Sequence, residues 1–134
     1  MKVVDTSVVI AAFATWHESH AVAVIALQDD PALPAPCALE VYAVLTRLPA
    51  PHRVAPEVVR DYLAAAFPGG RLMLPKDETL RLVETLVERG ISGGAAYDAV
   101  IALVARSAGA TILTLDERAR VTYDRIGVAT EYLG

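Results

Sequence analysis

The chain has 134 residues, 54% of them hydrophobic, which excludes an intrinsically disordered protein and predicts a single domain over residues 1–134. Its 16 acidic and 12 basic residues give a formal net charge of −4. This balance argues against a general electrostatic binder of nucleic acid, because such proteins are normally basic. The single cysteine, Cys37, excludes an internal disulfide and a cysteine-cluster zinc site, and it favours a reducing, cytoplasmic setting.

The beginning of the chain gives no sign of a membrane segment. The uncharged apolar stretch over 8–16 is shorter than the roughly 20 residues that a spanning helix needs. A signal peptide is not expected either, because Asp5 separates Lys2 from this stretch and no clear cleavage site follows it.

Strand and helix signals alternate along the chain. They predict, in order, a buried strand over 2–5, helices over 6–15 and 17–29, a weak strand over 33–36, helices over 38–48 and 56–67, a short strand over 71–74, helices over 77–89 and 95–107, a strand over 111–115, a short helix over 117–121 and an edge strand over 128–131. Thr6 or Ser7 is the expected cap of the first helix.

Two of these helices carry apolar residues at helical spacing. The helix over 17–29 is predicted to place on one apolar face Val22, Ile25 and Ala26. The helix over 77–89 is predicted to be amphipathic, with an apolar face formed by Leu80, Val83, Leu86 and Val87.

The alternation of strands and helices predicts an α/β fold with a parallel sheet that helices cover on both faces. Such sheets bind their ligands beyond the carboxyl ends of the strands. A site is therefore expected among the residues that follow Val4, Pro36 and Leu115.

Three acidic residues stand alone in apolar surroundings. Asp5 is the only charged residue over 3–17, Glu40 the only one over 31–46, and Asp98 the only one over 90–105. A buried lone carboxylate is unfavourable unless it is paired, hydrogen-bonded or bound to a metal. No lysine or arginine lies beside any of them in sequence, which suggests that a cation from outside the chain gathers them.

Asp116 joins these acids by its position after the strand over 111–115, so that all four can meet at one edge of the sheet. Each also has a structural interpretation. Asp5 and Asp116 are suitable helix caps, and capping explains Asp116 equally well. Asp98 could accept hydrogen bonds from amides near Gly93 and Gly94, and Glu40 could meet an arginine in space.

An all-oxygen cluster selects a hard divalent ion, Mg²⁺ or Mn²⁺. Such ions activate water and stabilise the leaving oxygen in phosphodiester hydrolysis.

Without the four acids the remaining 12 acidic and 12 basic residues balance, which leaves a neutral surface for a phosphate substrate. The first candidates for substrate contacts are three arginines that follow Asp116, although each could also be an ordinary solvated helix residue: Arg118, Arg120 and Arg125.

Other suggestive residues carry weaker signals. His17 and His20 are three positions apart, whereas the zinc-protease helix motif needs a spacing of four. Ser7 lacks the surroundings of a nucleophile elbow. Trp16 and Tyr97 are interpreted as packing residues rather than as platforms for stacked bases.

Four segments resemble, in order, the acidic motifs of PIN-domain ribonucleases: residues 3–10, 36–47, 94–102 and 112–118. Together they extend over nearly the whole chain, and a PIN domain of this size resembles a VapC-type toxin of a bacterial toxin–antitoxin pair. The resemblance implies an α/β/α sandwich with a central, mainly parallel sheet and a ribonuclease that depends on Mg²⁺ or Mn²⁺.

The resemblance also assigns roles to residues. Asp5 and Asp98 fall on the positions of the principal metal ligands, Glu40 and Asp116 on those that complete the site, and Thr114 on a supporting position. It further implies an RNA substrate, a homodimer and a cognate antitoxin that blocks the site.

Two alternatives belong to other functional classes. A PIN fold could bind RNA or a protein partner without cutting. A receiver-type phospho-acceptor domain also gathers acids around Mg²⁺, but it would need adjacent acids after its first strand and a lysine after its last. Here Thr6 and Ser7 follow Asp5, and the only lysines are Lys2 and Lys76.

Overall fold

The central sheet is built from short strands whose side chains alternate between two apolar layers. In the computed structural model, which describes all residues from Met1 to Gly134, β1 (Lys2–Val4) pairs in parallel with β4 (Thr111–Thr114), and β4 pairs in parallel with β5 (Thr130–Tyr132). Successive residues of a strand point to opposite faces. Val4 therefore packs into one core cluster and its neighbour Val3 into the other.

A second pair of parallel strands extends this sheet. β2 (Leu33–Pro34) pairs with β3 (Arg71–Leu72). Ala32, just before β2, joins β1 through two backbone hydrogen bonds, from Val4 N to Ala32 O (3.1 Å) and from Ala32 N to Lys2 O (2.9 Å). The strands thus follow the order β3-β2-β1-β4-β5, and every pair is parallel, as the alternating sequence pattern predicts.

Helices cover both faces of the sheet, which confirms the predicted α/β/α sandwich. One core cluster contains residues of the first four helices, α1 (Thr6–Phe13), α2 (His20–Leu27), α3 (Ala35–Arg47) and α4 (Pro56–Ala66). The other cluster contains Val3 and residues from the second half of the chain. Its helices are α6 (Leu82–Glu88), α7 (Ala95–Ser107) and α8 (Glu117–Ile126), preceded by the short α5 (Lys76–Leu80). None of the eight helices is both long enough and apolar enough to cross a lipid bilayer.

Three predicted helix boundaries are wrong by three to five residues. α3 begins at Ala35 rather than at residue 38, since Pro36 in its first turn lacks only an N–H that the helix would not use. α2 begins at His20 rather than at residue 17. α8 continues past residue 121 to Ile126 and ends at Gly127, which adopts the left-handed conformation with φ of 83°.

The predicted helix over 77–89 is interrupted at Arg81, whose φ of −104° and ψ of 13° leave the helical region. On either side of the interruption, threonine hydroxyls donate to carbonyls one turn earlier, Thr79 to Pro75 (3.0 Å) and Thr85 to Arg81 (3.1 Å). Such back-bonding bends helices, and apolar periodicity alone does not reveal it.

The apolar face predicted for α2 packs against the core only at Ala26, and the face predicted for the 77–89 segment only at Leu86. α2 buries Ala23, whereas Val22 is exposed and Ile25 is 61% exposed. In the other segment Leu80, Val83 and Val87 are about 70% exposed, whereas Leu86 and Leu82 pack against the core. Apolar spacing identifies a stripe on a helix but not what covers it, and a small residue such as Ala23 lets α2 approach α1 closely.

Candidate active site

The four isolated acids line one small cavity beyond the carboxyl ends of β1 and β4. The cavity has a volume of about 170 Å³ and is lined by Asp5, Thr6, Ser7, Ile10, Glu40, Asp98, Asp116 and Tyr123. Four different elements deliver the carboxylates, since two follow strands and two lie near the starts of α3 and α7. The convergence expected from the sheet topology is therefore present.

Asp5 and Asp116 cap helices as well as lining the cavity. Asp5 accepts a hydrogen bond from Val8 N (3.4 Å) and is the N-cap of α1, rather than Thr6 or Ser7. Asp116 accepts bonds from Arg118 N (2.9 Å) and Ala119 N (3.4 Å) at the start of α8. Capping and site lining are thus compatible, because a capping carboxylate necessarily stands at the end of a strand in this topology.

Glu40 and Asp98 have no basic partner. The salt bridges of the chain involve other residues, and no side chain caps α7 near Gly94. The structural interpretations considered for these two acids, an arginine for Glu40 and backbone amides for Asp98, therefore have no support in the contacts.

Asp5 is the most enclosed of the four carboxylates, with only 3% of its surface exposed. Its Oδ1 accepts from the Ser7 hydroxyl and from Val8 N, and its Oδ2 accepts from the Tyr123 hydroxyl at 2.8 Å. Burial raises the pKa of Asp5, while these hydrogen bonds act in the opposite direction because they stabilise the carboxylate.

A chain of hydroxyl groups connects Asp5 to the end of β4. Leu115 N donates to Ser7 Oγ (2.9 Å), and Asp116 N donates to Thr114 Oγ1 (3.0 Å). The two hydroxyl oxygens lie 3.5 Å apart. Thr114, to which the family resemblance assigns a supporting role, is fully buried here.

The pKa of Asp98 reflects the negative charge that the other carboxylates bring to the cavity. Its pKa is raised to about 6, first by removal from water and then by the negative charges of Glu40, Asp116 and Asp5. The four carboxylates are thus close enough to repel one another when no cation is present.

The sequence does not identify four residues that line this cavity, and two of them, Ser7 and Tyr123, donate hydrogen bonds to Asp5. Ser7 lacks the surroundings of a nucleophile, yet its place two residues after Asp5 is a local signal for a hydrogen-bonded turn. Tyr123 lies beyond the predicted end of the last helix at residue 121. The spacing of Ala119, Tyr123 and Ile126, all buried, is the signal that a longer helix would have revealed.

The chemistry of the donor set fits a hard divalent cation. All candidate ligands are carboxylate oxygens, which suit Mg²⁺ or Mn²⁺. No three of them come close enough to form a closed cage around an ion. Mg²⁺ does not require such a cage, because it is usually held by one or two carboxylates together with water and phosphate oxygens.

The three candidate arginines differ in their contacts. Arg120 lies 3.6 Å from Glu117 and over the ring of Tyr132, and Arg125 donates to Gly90 O. Arg118 has an exposed side chain that forms no ion pair, and it follows Asp116 by two residues. It is therefore the arginine that is free to meet a substrate.

The aromatic residues interpreted as packing residues lie at the surface. Tyr97 is 70% exposed, and Trp16 is 53% exposed with its ring 4.4 Å from that of His52. Neither ring enters a core cluster, so the interpretation of Tyr97 as a packing residue is wrong and the packing of Trp16 is confined to surface rings.

Comparison with solved structures identifies the fold. The chain superposes on a structure described as FitAB bound to an IR36 DNA fragment with a TM-score of 0.73, covering 99% of this chain and 95% of the other at 19% identity. A crystal structure of FitAcB from Neisseria gonorrhoeae gives a TM-score of 0.71 over 99% and 98% of the two chains, also at 19% identity.

Comparison with known sequences identifies the family. Ribonuclease VapC40 of Mycobacterium tuberculosis is 48% identical over 127 residues, which cover 95% of each chain. Ribonuclease VapC27 of the same organism is 41% identical over 93% of this chain and 91% of its own. The PIN domain family matches residues 2–125. The chain therefore belongs to the PIN-domain family, and within it to the VapC group.

Proposed function

We propose that this protein is a ribonuclease that hydrolyses RNA phosphodiester bonds with Mg²⁺ or Mn²⁺ and acts as the toxin of a toxin–antitoxin pair. The observation that carries the proposal is the cavity in which four carboxylates meet without a lysine or arginine to neutralise them. The sequence relatives named as ribonucleases support the same activity.

The residues of the cavity have different roles in this proposal. Asp5 and Asp98 are the principal metal ligands in this proposal, and Glu40 and Asp116 complete the site, in part through water. A bound divalent ion lowers the pKa of water and stabilises the charge on a leaving oxygen. Thr114 and Ser7 hold the ends of β1 and β4 together, which keeps Asp5 and Asp116 in register.

The substrate side of the site requires positive charge that the cavity itself lacks. Arg118 supplies it in this proposal, because its exposed side chain lies on the first turn of α8, two residues after Asp116. Arginine suits this role since its planar group can contact two phosphate oxygens at once. Arg120 and Arg125 are less suited to it, because they already contact protein groups.

A cleavage assay tests the activity. Wild type and Asp98→Asn are each incubated with RNA in Mg²⁺, in Mn²⁺ and in EDTA, with Glu84→Gln as the matched control, because Glu84 is an exposed acid on α6. Wild type and control should cut only with metal, and Asp98→Asn should not cut. Metal-independent cleavage, or near wild-type cleavage by Asp98→Asn, contradicts the assignment. Binding of RNA without cleavage would instead support a non-catalytic PIN module.

We assign the antitoxin to the groove between α3 and α4. This groove has a volume of about 500 Å³ and a largely apolar lining that includes Leu39, Tyr42 and Leu63. Leu39 is 71% exposed and lies on the same helix as Glu40, so a partner that extends from the groove around α3 would cover the acidic cavity as well. Cells should tolerate the wild type only when it is co-expressed with its antitoxin, and Leu39→Glu should escape that protection while still cutting RNA.

We assign the homodimer contact to the exposed residues Val83 and Val87, four positions apart on α6, together with Leu80 at the end of α5. A contiguous apolar patch on a surface marks an interaction site, and a two-fold dimer buries the same patch of each copy. Val83→Glu should therefore yield a monomer in light scattering. A variant that stays dimeric would place the contact elsewhere.

A further inference from the structure

Tyr123 is a fully buried tyrosine whose hydroxyl group enters the acidic cavity. The ring belongs to the core cluster on the α7–α8 side of the sheet, with its helix neighbours Ala119 and Ile126. The hydroxyl leaves this apolar environment and donates to Asp5 Oδ2 at 2.8 Å, across 118 positions of sequence. Packing of the ring therefore fixes where the hydroxyl group points.

The two oxygens of the Asp5 carboxylate differ in their partners. Oδ1 accepts from both Ser7 and Val8, which satisfies its two lone pairs. Oδ2 accepts only from Tyr123, so that one of its lone pairs stays open. The oxygen that remains available as a ligand is thus the one that Tyr123 holds.

Hydrogen bonds to both oxygens also prevent the carboxylate from rotating. Ser7 holds one side from the same turn of the chain, and Tyr123 holds the other from α8. Without the Tyr123 hydroxyl, Oδ2 would lose this hydrogen bond, and Asp5 would be held mainly at Oδ1, by Ser7 and Val8. Partners that orient a ligating group commonly change metal affinity by roughly 10- to 100-fold.

We propose that Tyr123 is a positioning residue that orients Asp5 Oδ2 for binding of the divalent ion, so that α8 contributes to the site through its buried side as well as through Asp116. This role rests on the proposed metal-dependent function. Tyr123 itself does not contact the ion or the RNA in this proposal.

Tyr123→Phe tests the role because it removes only the hydroxyl group and keeps the ring in the core. The dissociation constant for Mn²⁺ alone is measured by isothermal titration calorimetry, without RNA. We expect Mn²⁺ to bind about 10- to 100-fold more weakly than in the wild type.

Two variants serve as controls. Tyr62→Phe removes a half-buried hydroxyl that lies away from the acidic cavity, on a ring that packs against Phe13. Ile126→Val loosens the same core cluster as Tyr123 without touching a hydrogen bond. Both should bind Mn²⁺ as the wild type does, even though Ile126→Val lowers the melting temperature.

The outcomes separate this role from the proposed function. A wild type that binds Mn²⁺ together with a Tyr123→Phe variant of equal or tighter affinity overturns the positioning role and leaves the metal site intact. A wild type that binds no Mn²⁺ overturns the metal-dependent function and this role with it.

A measurement on the wild type needs no variant. The ¹³Cζ resonance of Tyr123 should shift when Mg²⁺ is added, because its hydroxyl group shares Asp5 Oδ2 with the ion, and the Tyr62 resonance should not. If the Tyr123 resonance does not shift when the protein is saturated with Mg²⁺, the positioning role is overturned as well.

Discussion

Ser7 Oγ accepts a hydrogen bond of 2.9 Å from the backbone N–H of Leu115, although the two residues are 108 positions apart. This contact joins the turn after β1 to the end of β4, the two strands whose ends carry Asp5 and Asp116. Since the N–H of Leu115 occupies the serine oxygen from one side, the single hydroxyl proton of Ser7 is directed to Asp5.

Ser7→Ala should therefore lower the free energy of unfolding by about 1–3 kcal/mol, because it leaves the Leu115 N–H without an acceptor and removes one of the two donors to Asp5 Oδ1. Urea unfolding measures the change. Ser92→Ala is the matched control, since Ser92 is exposed and its hydroxyl forms no hydrogen bond, and it should stay within about 0.5 kcal/mol of the wild type. Equal stability of the two variants would contradict the bridging role of Ser7.

Asp116 offers a way to separate capping from chemistry. Asn retains an oxygen that can accept from Arg118 N and Ala119 N, whereas Ala retains none. Asp116→Asn should keep the stability of the wild type, and Asp116→Ala should lose about 1 kcal/mol in urea unfolding. Both should cut RNA more slowly, because both remove a charge from the cavity. Full activity of the Asn variant would leave capping as the only role of Asp116.

The sheet and the meeting of the four acids could be predicted because both follow from local signals. Apolar strands such as 2–5 and 111–115 alternate with helices, parallel strands end at one edge, and acids placed directly after a strand appear at that edge. Isolation in an apolar segment then identifies Glu40 and Asp98 on the helices, where no strand end points to them.

Contacts between distant segments could not be predicted in this way. The bond from Tyr123 to Asp5 depends on how α8 packs against the sheet, and the bond from Leu115 to Ser7 depends on strand register. The exposure of the apolar residues on α2 and in the 77–89 segment could not be predicted for a related reason. Helical spacing predicts that Val83 and Val87 share a face, but whether the same chain covers that face is a property of the whole fold.

The raised pKa of Asp98 makes stability depend on pH in a definite direction. The pKa is about 6 in the folded protein and lower in the unfolded chain, so the folded state binds more protons between about pH 4 and pH 6. Without metal, the melting temperature should therefore fall as the pH rises through this range. Asp98→Asn should show a smaller fall. Melting curves in EDTA at several pH values measure the difference, and equal slopes for the two proteins would show that Asp98 does not titrate in this range.

A bound divalent metal ion should cancel the repulsion between the carboxylates of the cavity and so stabilise the folded protein. Mn²⁺ that binds only the folded state adds about 2.7 kcal/mol of stability at 100 times its dissociation constant, so the wild type should melt at a higher temperature in millimolar Mn²⁺ than in EDTA. Asp98→Asn lacks one of the repelling charges of the cavity, so in EDTA it should melt at or above the wild-type temperature and gain little from Mn²⁺. Glu84→Gln, which alters an exposed acid on α6, should gain as much as the wild type.

If Asp98 were instead a structural carboxylate held by buried hydrogen bonds, Asp98→Asn would melt below the wild type with or without Mn²⁺. A wild type whose melting temperature ignores Mn²⁺ would contradict the metal site as a whole.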